Sequence, residues 1–271
     1  MLRSLLKGAR FGALRFKKEE HLRIAMCEDR ILLSNGQEFV FEKNETIPWR
    51  GAVDFLPQVV SSCRGQKASL ILADQFVHYA LLPWSDTLKT HAQWMALARH
   101  RFCAIHGPVA NDWEIKFAET APAGPRLACA VDAQLVDALA ERFSGTGVEL
   151  VSVLPFLVTA FNQVRHMTGG SCWLVIEEPG RLTLALFLRG VWVAIRSRRV
   201  DNLGGHEGQP AWRDSLSGLI ARENALLGLD EPCTRVIVCA QEPFSEEEMR
   251  TSHEDFRLEA LAYQELALAG H

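Results

Sequence analysis

The sequence lacks the patterns that mark secreted and membrane-spanning proteins. Its seven cysteines are scattered, odd in number and include no Cys-x-x-Cys pair, which is typical of a reducing cytosol rather than of a disulfide scaffold. No run of about 18 uninterrupted apolar residues occurs, so we expect no membrane span. The N-terminus also has no unbroken apolar core of roughly 7 residues, which a secretory signal needs. At 271 residues, the chain can form one large domain or two lobes of ordinary size.

Motifs of several enzyme and metal-binding classes are missing as well. There is no Gly-x-x-x-x-Gly-Lys-Ser/Thr loop, no Gly-x-Gly-x-x-Gly after a strand and no Gly-x-Ser-x-Gly elbow. His100, Cys103 and His106 are spaced three residues apart, but no fourth zinc ligand lies nearby in the sequence. Asp74 beside His78 suggests acid-base chemistry, yet turn formation explains Asp74 more simply. We therefore expect no catalytic, cofactor-binding or metal-binding residue, and the net charge of −4 gives no general attraction for nucleic acid.

What is present begins with a basic N-terminal segment, residues 1–19. Six basic residues precede the first acid, Glu19, and apolar residues are interleaved with them. This composition is compatible with an arm that docks on a membrane surface or on a partner. It also fits a solvated tail that leads into the first strand, because each basic side chain near an anionic surface adds only about 1 kcal/mol.

The apolar pattern of the remaining chain predicts an α/β protein whose two halves share one order of elements: meandering strands, then alternating helices and strands. Residues 68–82 are predicted to form a hairpin with a tight turn at Asp74-Gln75, followed by a helix over 86–104 that Ser85 caps. Asn35-Gly36 is typical of another hairpin turn. Other strands are predicted over 21–27, 30–33, 38–42, 112–119, 126–131, 148–153, 172–176, 182–188, 191–197 and 235–239.

Further helices are predicted over 51–63, 211–227 and 258–268. Another follows Asp132, which is placed to cap it, and one begins at Pro155 and runs to about residue 166. The acidic residues 246–248 indicate one more helix start, because the helix dipole favours negative charge there. Residues 167–170 are the candidate hinge between the two halves.

Four segments together resemble the actin-like cytoplasmic proteins of type IV pilus and type II secretion platforms, the PilM-type and GspL-type proteins. They are the strand pair that ends in Leu-Leu-Pro-Trp84, the stretch Arg-Leu-Ala-Cys-Ala-Val-Asp132 before a helix, the stretch Val-Glu-Leu-Val-Ser-Val-Leu-Pro155 before the next helix, and the three strands that end in Arg-Ser-Arg-Arg199. The resemblance implies an actin-like (ribonuclease H-like) two-lobed architecture with mixed sheets. After the basic arm over 1–19, it implies a first lobe over 20–167 with an inserted hairpin and helix, and a second lobe over 168–271.

In active actin-like proteins, two hairpins each supply an Asp-x-Gly turn to the nucleotide phosphates, and a later Gly-Gly turn contacts the adenosine. Here the first hairpin contains Cys-Glu-Asp29 without glycine, and the second contains Glu177 and Glu178, which would repel a polyphosphate. The expected Gly-Gly is replaced by Ala-Gln-Glu-Pro243. We therefore expect a degenerate nucleotide cleft. A Gly-rich stretch, Asn202 to Gly208, leaves residual nucleotide binding open.

The sequence-based hypothesis is a non-catalytic cytoplasmic adaptor at the inner face of the cytoplasmic membrane, docking the cytosolic tail of a PilN-like membrane protein. A homodimer is left open, and no nucleic acid partner is expected. The alternative is an actin-like ATPase or sugar-type kinase, and a third possibility is an unrelated α/β module without two similar lobes. The predicted partner-binding residues are Phe76, His78, Tyr79, Arg196, Arg198 and Arg199. The three arginines also fit a solvated strand end paired with acids such as Asp201.

Overall fold

The computed structural model describes residues 21–61, 63, 65–117, 124–165, 170–200, 213, 215–240 and 257–268. These residues form two compact units. The first unit ends at Gln163 and also takes in the chain from Ala267 onward, and the second extends from Val164 to Leu266.

The described strands and helices alternate through the chain as an α/β protein. The strands are β1 (His21–Met26), β2 (Arg30–Leu33), β3 (Glu38–Val40), β4 (Lys67–Leu72), β5 (His78–Leu82), β6 (Trp113–Phe117), β7 (Arg126–Asp132), β8 (Glu149–Pro155), β9 (Cys172–Glu178), β10 (Arg181–Leu188), β11 (Val191–Arg199), β12 (Arg235–Ala240) and β13 (Arg257–Ala262). The helices are α1 (Arg50–Ser61), α2 (His91–His106), α3 (Ala133–Phe143), α4 (Phe156–Val164), α5 (Leu216–Leu227) and α6 (Tyr263–Leu268). Short 3-10 helices span Asp74–Phe76 and Pro108–Asp112.

The main sheet of each unit has the same strand order. In the first unit the order is β3-β2-β1-β4-β8, with β1 to β3 antiparallel and β4 and β8 parallel to β1. In the second unit the order is β11-β10-β9-β12-β13, with β9 to β11 antiparallel and β12 and β13 parallel to β9. The repeated element order predicted from the sequence is therefore confirmed for the main sheets, which are topological duplicates of each other.

Apolar faces of helices cover these sheets. On α1, the buried residues Ala52, Val53, Leu56, Val59 and Val60 follow helical spacing, and the helix continues through Pro57. Helix α3 begins as predicted, because the Asp132 carboxylate accepts the backbone N–H of Gln134. In the second unit, β9, β10 and β12 pack on α5 around the buried ring of Trp173.

The predicted hairpin over residues 68–82 is wrong in its pairing. Both segments are strands, but β4 pairs with β1 and β8, while β5 belongs to a separate three-stranded sheet of order β5-β7-β6. A strand has only two hydrogen-bonding edges, and both edges of β4 are already occupied. The 3-10 helix Asp74–Phe76 carries the chain from one sheet to the other. Helix α2 packs on the small sheet through Trp94, Ala98 and Phe102.

Two further predictions are corrected at element ends. Helix α2 begins at His91 rather than at residue 86, and Thr90 forms a capping box with Gln93, so Ser85 is not the cap. Of the helix predicted over 258–268, only residues 263–268 are helical and form α6. Residues 257–262 form β13, which is parallel to β12. Leu, Glu and Ala favour a helix intrinsically, but pairing with a central strand overrides this weak preference.

Several predictions lie wholly or mainly outside the described residues. They concern the basic arm over 1–19, hinge residues 167–169, the Gly-rich stretch over 202–208 and the acidic residues 246–248. Within the described part of the chain, no helix combines the length and the apolar character needed to cross a bilayer.

Candidate functional site

The turn between β1 and β2 occupies the place where the sequence predicted the first phosphate-binding hairpin. It is closed by a hydrogen bond from the backbone N–H of Cys27 to the carbonyl of Arg30, at 2.9 Å. None of its residues, Cys27 to Asp29, has a positive φ, so it lacks the left-handed residue of an amide nest that cradles phosphate. The Arg30 guanidinium donates to both carboxylate oxygens of Asp29 at 3.0 Å. Burial raises the pKa of Glu28. The turn therefore presents an internally paired carboxylate where a nucleotide would need backbone amides.

The second predicted phosphate hairpin, between β9 and β10, is held by contacts within its own unit. Glu178 is buried and accepts a hydrogen bond from the Tyr263 hydroxyl at 3.1 Å. Glu177 forms an ion pair with the buried Arg213 guanidinium at 3.3 Å. Repulsion by two carboxylates was predicted here, but Arg213 offsets part of that charge.

The third predicted nucleotide contact cannot be placed. Strand β12 ends at Ala240, and residues 241–243 lie outside the described residues together with the stretch Asn202 to Gly208.

Three of the predicted partner-binding residues, Phe76, His78 and Tyr79, lie at the end of the 3-10 helix Asp74–Phe76 or at the start of β5. Phe76 is 4% exposed and belongs to the core, so its ring is not available at the surface. The Tyr79 hydroxyl donates to the Asp74 carboxylate at 2.5 Å. The half-buried His78 ring stacks on Trp113, with centroids 3.9 Å apart and planes 4° apart, and lies 4.7 Å from the His106 ring. Of the three, His78 therefore offers the most direct surface feature.

The predicted arginine cluster lies on β11, at one edge of the second unit's sheet among the described strands. Arg198 forms an ion pair with the fully buried carboxylate of Glu223 on α5, and Arg196 approaches the same carboxylate at 3.8 Å. Arg199 is exposed and lies directly opposite Arg181 in the ladder. The acid that holds two of the arginines is thus Glu223, whereas Asp201, the acid considered from sequence, lies outside the described residues.

Sequence reasoning missed Glu223, although a signal for it exists. Leu216, Ile220 and Glu223 follow the i, i+4, i+7 spacing of one helical face, and all three are buried on α5. A carboxylate on an apolar stripe requires a cationic partner. The arginine-rich end of a neighbouring strand is the obvious source of that partner.

Sequence reasoning also missed a polar cluster on the first unit's sheet. His21 Nε2 lies 2.6 Å from Ser69 Oγ, which in turn lies 2.6 Å from Ser152 Oγ. Arg23 and Lys67 are close enough to His21 to lower its pKa, after the larger effect of burial. These residues come from three adjacent strands, so their proximity could be found only once the strand order was known.

The residues considered for a metal site are placed separately by the structure. The Cys103 thiol contacts the Asn111 side chain, His106 lies among aromatic rings, and His100 is exposed. Among the described residues, no three His, Cys, Asp or Glu side chains converge closely enough to hold a metal ion.

Two sheets with the same 3-2-1-4-5 strand order, one per unit, define the actin-like class of folds. No protein-family model matches the sequence, and no curated protein matches it either. Among solved structures, the chain is similar to the cytoplasmic domain of EpsL, an inner-membrane component of the type II secretion system of Vibrio cholerae. That match has a TM-score of 0.55 and 11% identity, and covers 92% of this chain and 93% of the other.

Two further solved structures share the fold. One is the PilM-PilN type IV pilus biogenesis complex, with a TM-score of 0.59, 12% identity, and coverage of 92% of this chain and 90% of the other. The second is a Bacteroides thetaiotaomicron protein of actin-like ATPase fold, with a TM-score of 0.55, 10% identity, and coverage of 92% and 94%. The chain therefore has the actin-like fold, as its resemblance to PilM-type and GspL-type proteins implied.

Proposed function

We propose that this protein is a non-catalytic adaptor of a type IV pilus-like or type II secretion-like assembly platform at the inner membrane. The observation that carries the proposal is the state of the two phosphate hairpins. The β1–β2 turn has neither glycine nor a positive φ, and at the end of β9 the carboxylates of Glu177 and Glu178 are engaged by Arg213 and Tyr263. Such turns are poor cradles for a triphosphate, which needs converging backbone amides and a positioned metal. The fold shared with EpsL and with the PilM-PilN complex supports an assembly role over an unrelated one.

The proposed partner is a membrane-anchored protein with a short cytosolic tail, as PilN-like proteins would provide. Strand β5 lies at one edge of the small sheet among the described strands, and an extended tail can add to such an edge through main-chain hydrogen bonds. His78 is the first residue of β5 and is partly exposed. Ile105 on α2 and Val109 on the next 3-10 helix lie within three residues of His106, whose ring contacts that of His78. Both are more than half exposed and would give a tail apolar contacts. The exposed Arg199 on β11 is a second candidate contact, for an acidic segment of the same partner.

The test uses the full chain and a synthetic peptide of the cytosolic tail of the inner-membrane protein encoded beside it. We expect saturable binding by calorimetry, weakened about tenfold by His78→Ala if the tail uses the β5 edge. His100→Ala is the matched control, because His100 is exposed on α2 and should leave binding unchanged. Arg199→Glu, compared with Arg101→Glu, tests the arginine surface in the same way. Absence of peptide binding by the wild-type chain would refute the docking proposal.

A second measurement separates the adaptor from an actin-like ATPase or kinase. A nucleotide at about 100 times its dissociation constant stabilises the folded state by about 2.7 kcal/mol, which raises the melting temperature by several degrees. We expect no shift with ATP and magnesium. A clear upward shift would favour the enzyme, even if the peptide also binds.

A further inference from the structure

One end of the first unit's main sheet carries polar side chains on a single face. The parallel ladders pair His21 with Lys67, and Arg23 with Ser69, between β1 and β4. They pair Ser69 with Ser152 between β4 and β8. Partners in a ladder project to the same face, and residues two apart along a strand do so as well. The alternate positions of β1, Leu22, Ile24 and Met26, are buried and apolar. The polar face is therefore a patterned feature of the sheet rather than a general surface.

The hydroxyl groups of this face are ordered and largely buried. Ser69 and Ser152 are 4% and 2% exposed, and the His21–Ser69–Ser152 chain fixes both hydroxyls at 2.6 Å contacts. On the other side of β1, the backbone N–H of Arg23 donates to the Ser34 hydroxyl at 3.0 Å. Ser69 on β4 and Ser34, which directly follows β2, thus lie on either side of Arg23.

Arg23 is the unexplained member of the cluster. Its Nη1 is inaccessible to solvent and has no hydrogen-bond partner, and burial lowers the pKa of the guanidinium. Neither Arg23 nor Lys67 forms an ion pair with an acid of the described residues. Glu149 lies opposite Lys67 in the ladder, but the two residues form no ion pair. A partly buried guanidinium whose inaccessible nitrogen has no hydrogen-bond partner is costly, so such an arrangement favours binding of an anion.

The neighbouring histidine lies close to both cations. Burial has the largest effect in lowering the pKa of His21, and the charges of Arg23 and Lys67 lower it further. His21 Nε2 lies 2.6 Å from Ser69 Oγ, while Arg23 and Lys67 carry the positive charge of the face. A ligand that neutralised the cations would reverse their effect on His21.

We propose that this polar face binds a phosphate-class oxyanion, with Arg23 as its central ligand, Lys67 as a second cation and the Ser34 hydroxyl, which accepts from the Arg23 backbone and keeps its own hydrogen, as a donor. Two positive charges match a phosphate of charge −1 to −2. The planar guanidinium can donate two parallel hydrogen bonds to it. A phosphate offers more acceptor oxygens than a carboxylate, and hence can engage both cations and a hydroxyl together. The phosphate can come from a free ion or from a phospholipid headgroup, and either source presents the same oxygens.

The first experiment is thermal unfolding of the full chain in phosphate, acetate and chloride at matched ionic strength and pH. We expect phosphate, at about ten times its dissociation constant, to raise the melting temperature by at least about 2 °C relative to chloride. Arg23→Met should abolish this rise. In chloride its melting temperature should equal or exceed that of the wild type, because the uncompensated charge is gone.

The matched control, Arg101→Met, changes an exposed arginine and should retain the phosphate effect. An equal phosphate effect in wild type and Arg23→Met, or an acetate effect as large as that of phosphate, would overturn the proposal.

A second readout reports on the site directly. The ring protons of His21, assigned by comparison with His21→Gln, are titrated by NMR with and without phosphate. Phosphate bound beside Arg23 and Lys67 should raise the pKa of His21 in the wild type and not in Arg23→Met. An unchanged His21 titration at saturating phosphate would contradict binding at this face, even if the protein were stabilised.

The source of the phosphate is distinguished with vesicles. Co-sedimentation with phosphatidylglycerol vesicles, absent with phosphatidylcholine vesicles and lost on Arg23→Met or in excess inorganic phosphate, would assign a headgroup. A stabilisation by inorganic phosphate that requires Arg23, without vesicle binding, would assign a free ion. Vesicle binding that survives both Arg23→Met and excess phosphate would belong to another surface and would contradict headgroup binding at this face.

Discussion

The carboxylate of Asp74 caps helix α4 across 83 residues of sequence, because its Oδ1 accepts the backbone N–H of Leu157 at 3.0 Å. Leu157 is the second residue of α4, where backbone N–H groups have no partner within the helix. The same oxygen accepts the Tyr79 hydroxyl at 2.5 Å. Asp74 was interpreted from sequence as a turn residue, and it does begin the 3-10 helix after β4. Its buried carboxylate also joins that turn to α4 and β5.

Replacement of Asp74 should therefore destabilise the first unit. Asp74→Ala removes a charged cap and leaves the N–H of Leu157 and the hydroxyl of Tyr79 without this acceptor, so we expect a loss of about 2–3 kcal/mol in the free energy of unfolding. Tyr79→Phe removes only one of the two contacts and should cost about 1 kcal/mol. Urea unfolding followed by circular dichroism measures both. The control is Asp86→Ala at an exposed position, and an equal effect of Asp74→Ala and Asp86→Ala would contradict the capping role.

Replacement of Arg198, which pairs with Glu223, should destabilise the protein more than replacement of the exposed Arg199 beside it. Glu223 is fully buried whereas the Arg198 side chain is 35% exposed. Arg198→Met would leave the carboxylate with Arg196 as its remaining cation. Complete loss of a partner to a buried charge costs about 3–5 kcal/mol, and we expect about 1–3 kcal/mol here because Arg198 is partly solvated.

Arg199→Met is the matched comparison, since Arg199 is exposed on the same strand and should change stability by less than about 0.5 kcal/mol. The double variant Arg198→Met/Glu223→Leu should recover much of the loss, because both charges are removed together. Guanidinium unfolding provides the measurement. Equal stabilities of Arg198→Met and Arg199→Met would show that Glu223 does not depend on Arg198.

Local sequence patterns predicted where strands form but not which strands pair. Most strands were found from alternation and turn residues, and Asn35-Gly36 forms a turn in which Gly36 has a φ of 87°. The pairing of β4 was not accessible in this way, because alternation predicts a strand but not its neighbours. Strand β13 was mistaken for helix for a related reason. Its Leu and Ala residues have helical preference, and only its ladder with β12 makes it a strand.

The same distinction between local patterns and long-range contacts applies to the candidate site. The glycine-poor turn at Cys27 to Asp29 was recognisable from sequence, since the absence of glycine is a local property. The contact of Glu177 with Arg213 and that of Arg198 with Glu223 join residues 36 and 25 positions apart. Contacts at such separations depend on tertiary packing, so the residues could be named but their partners could not.

His21 should make the stability of the protein depend on pH. Burial, Arg23 and Lys67 lower its pKa in the folded state from the usual 6.5. Below that value the unfolded chain binds a proton that the folded chain does not, so the free energy of unfolding falls as pH falls from about 6.5 towards the lower folded value. His21→Gln should weaken this fall while keeping a hydrogen-bonding group near Ser69.

The measurement is urea unfolding at several pH values between about 5 and 7.5 in chloride buffers, with the wild type and His21→Gln compared at each pH. The difference between the two proteins isolates His21 from other titrating groups, including Glu28, whose pKa is raised by burial. Parallel curves for the two proteins would show that His21 has the same pKa in both states.

Cys103 should be the one thiol that reacts quickly in the folded protein. The structure has all seven cysteines reduced, six of them buried and Cys103 partly exposed. Burial raises the pKa of Cys172 to about 12 and also raises the pKa of Cys129 and Cys233, and the thiolate is the reactive species. With Ellman's reagent at about pH 8, we expect one fast equivalent in the native protein, absent from Cys103→Ser, and reaction of the other six only on unfolding. Two or more fast equivalents would show that a buried thiol becomes accessible by local opening of the sheet or helix that covers it.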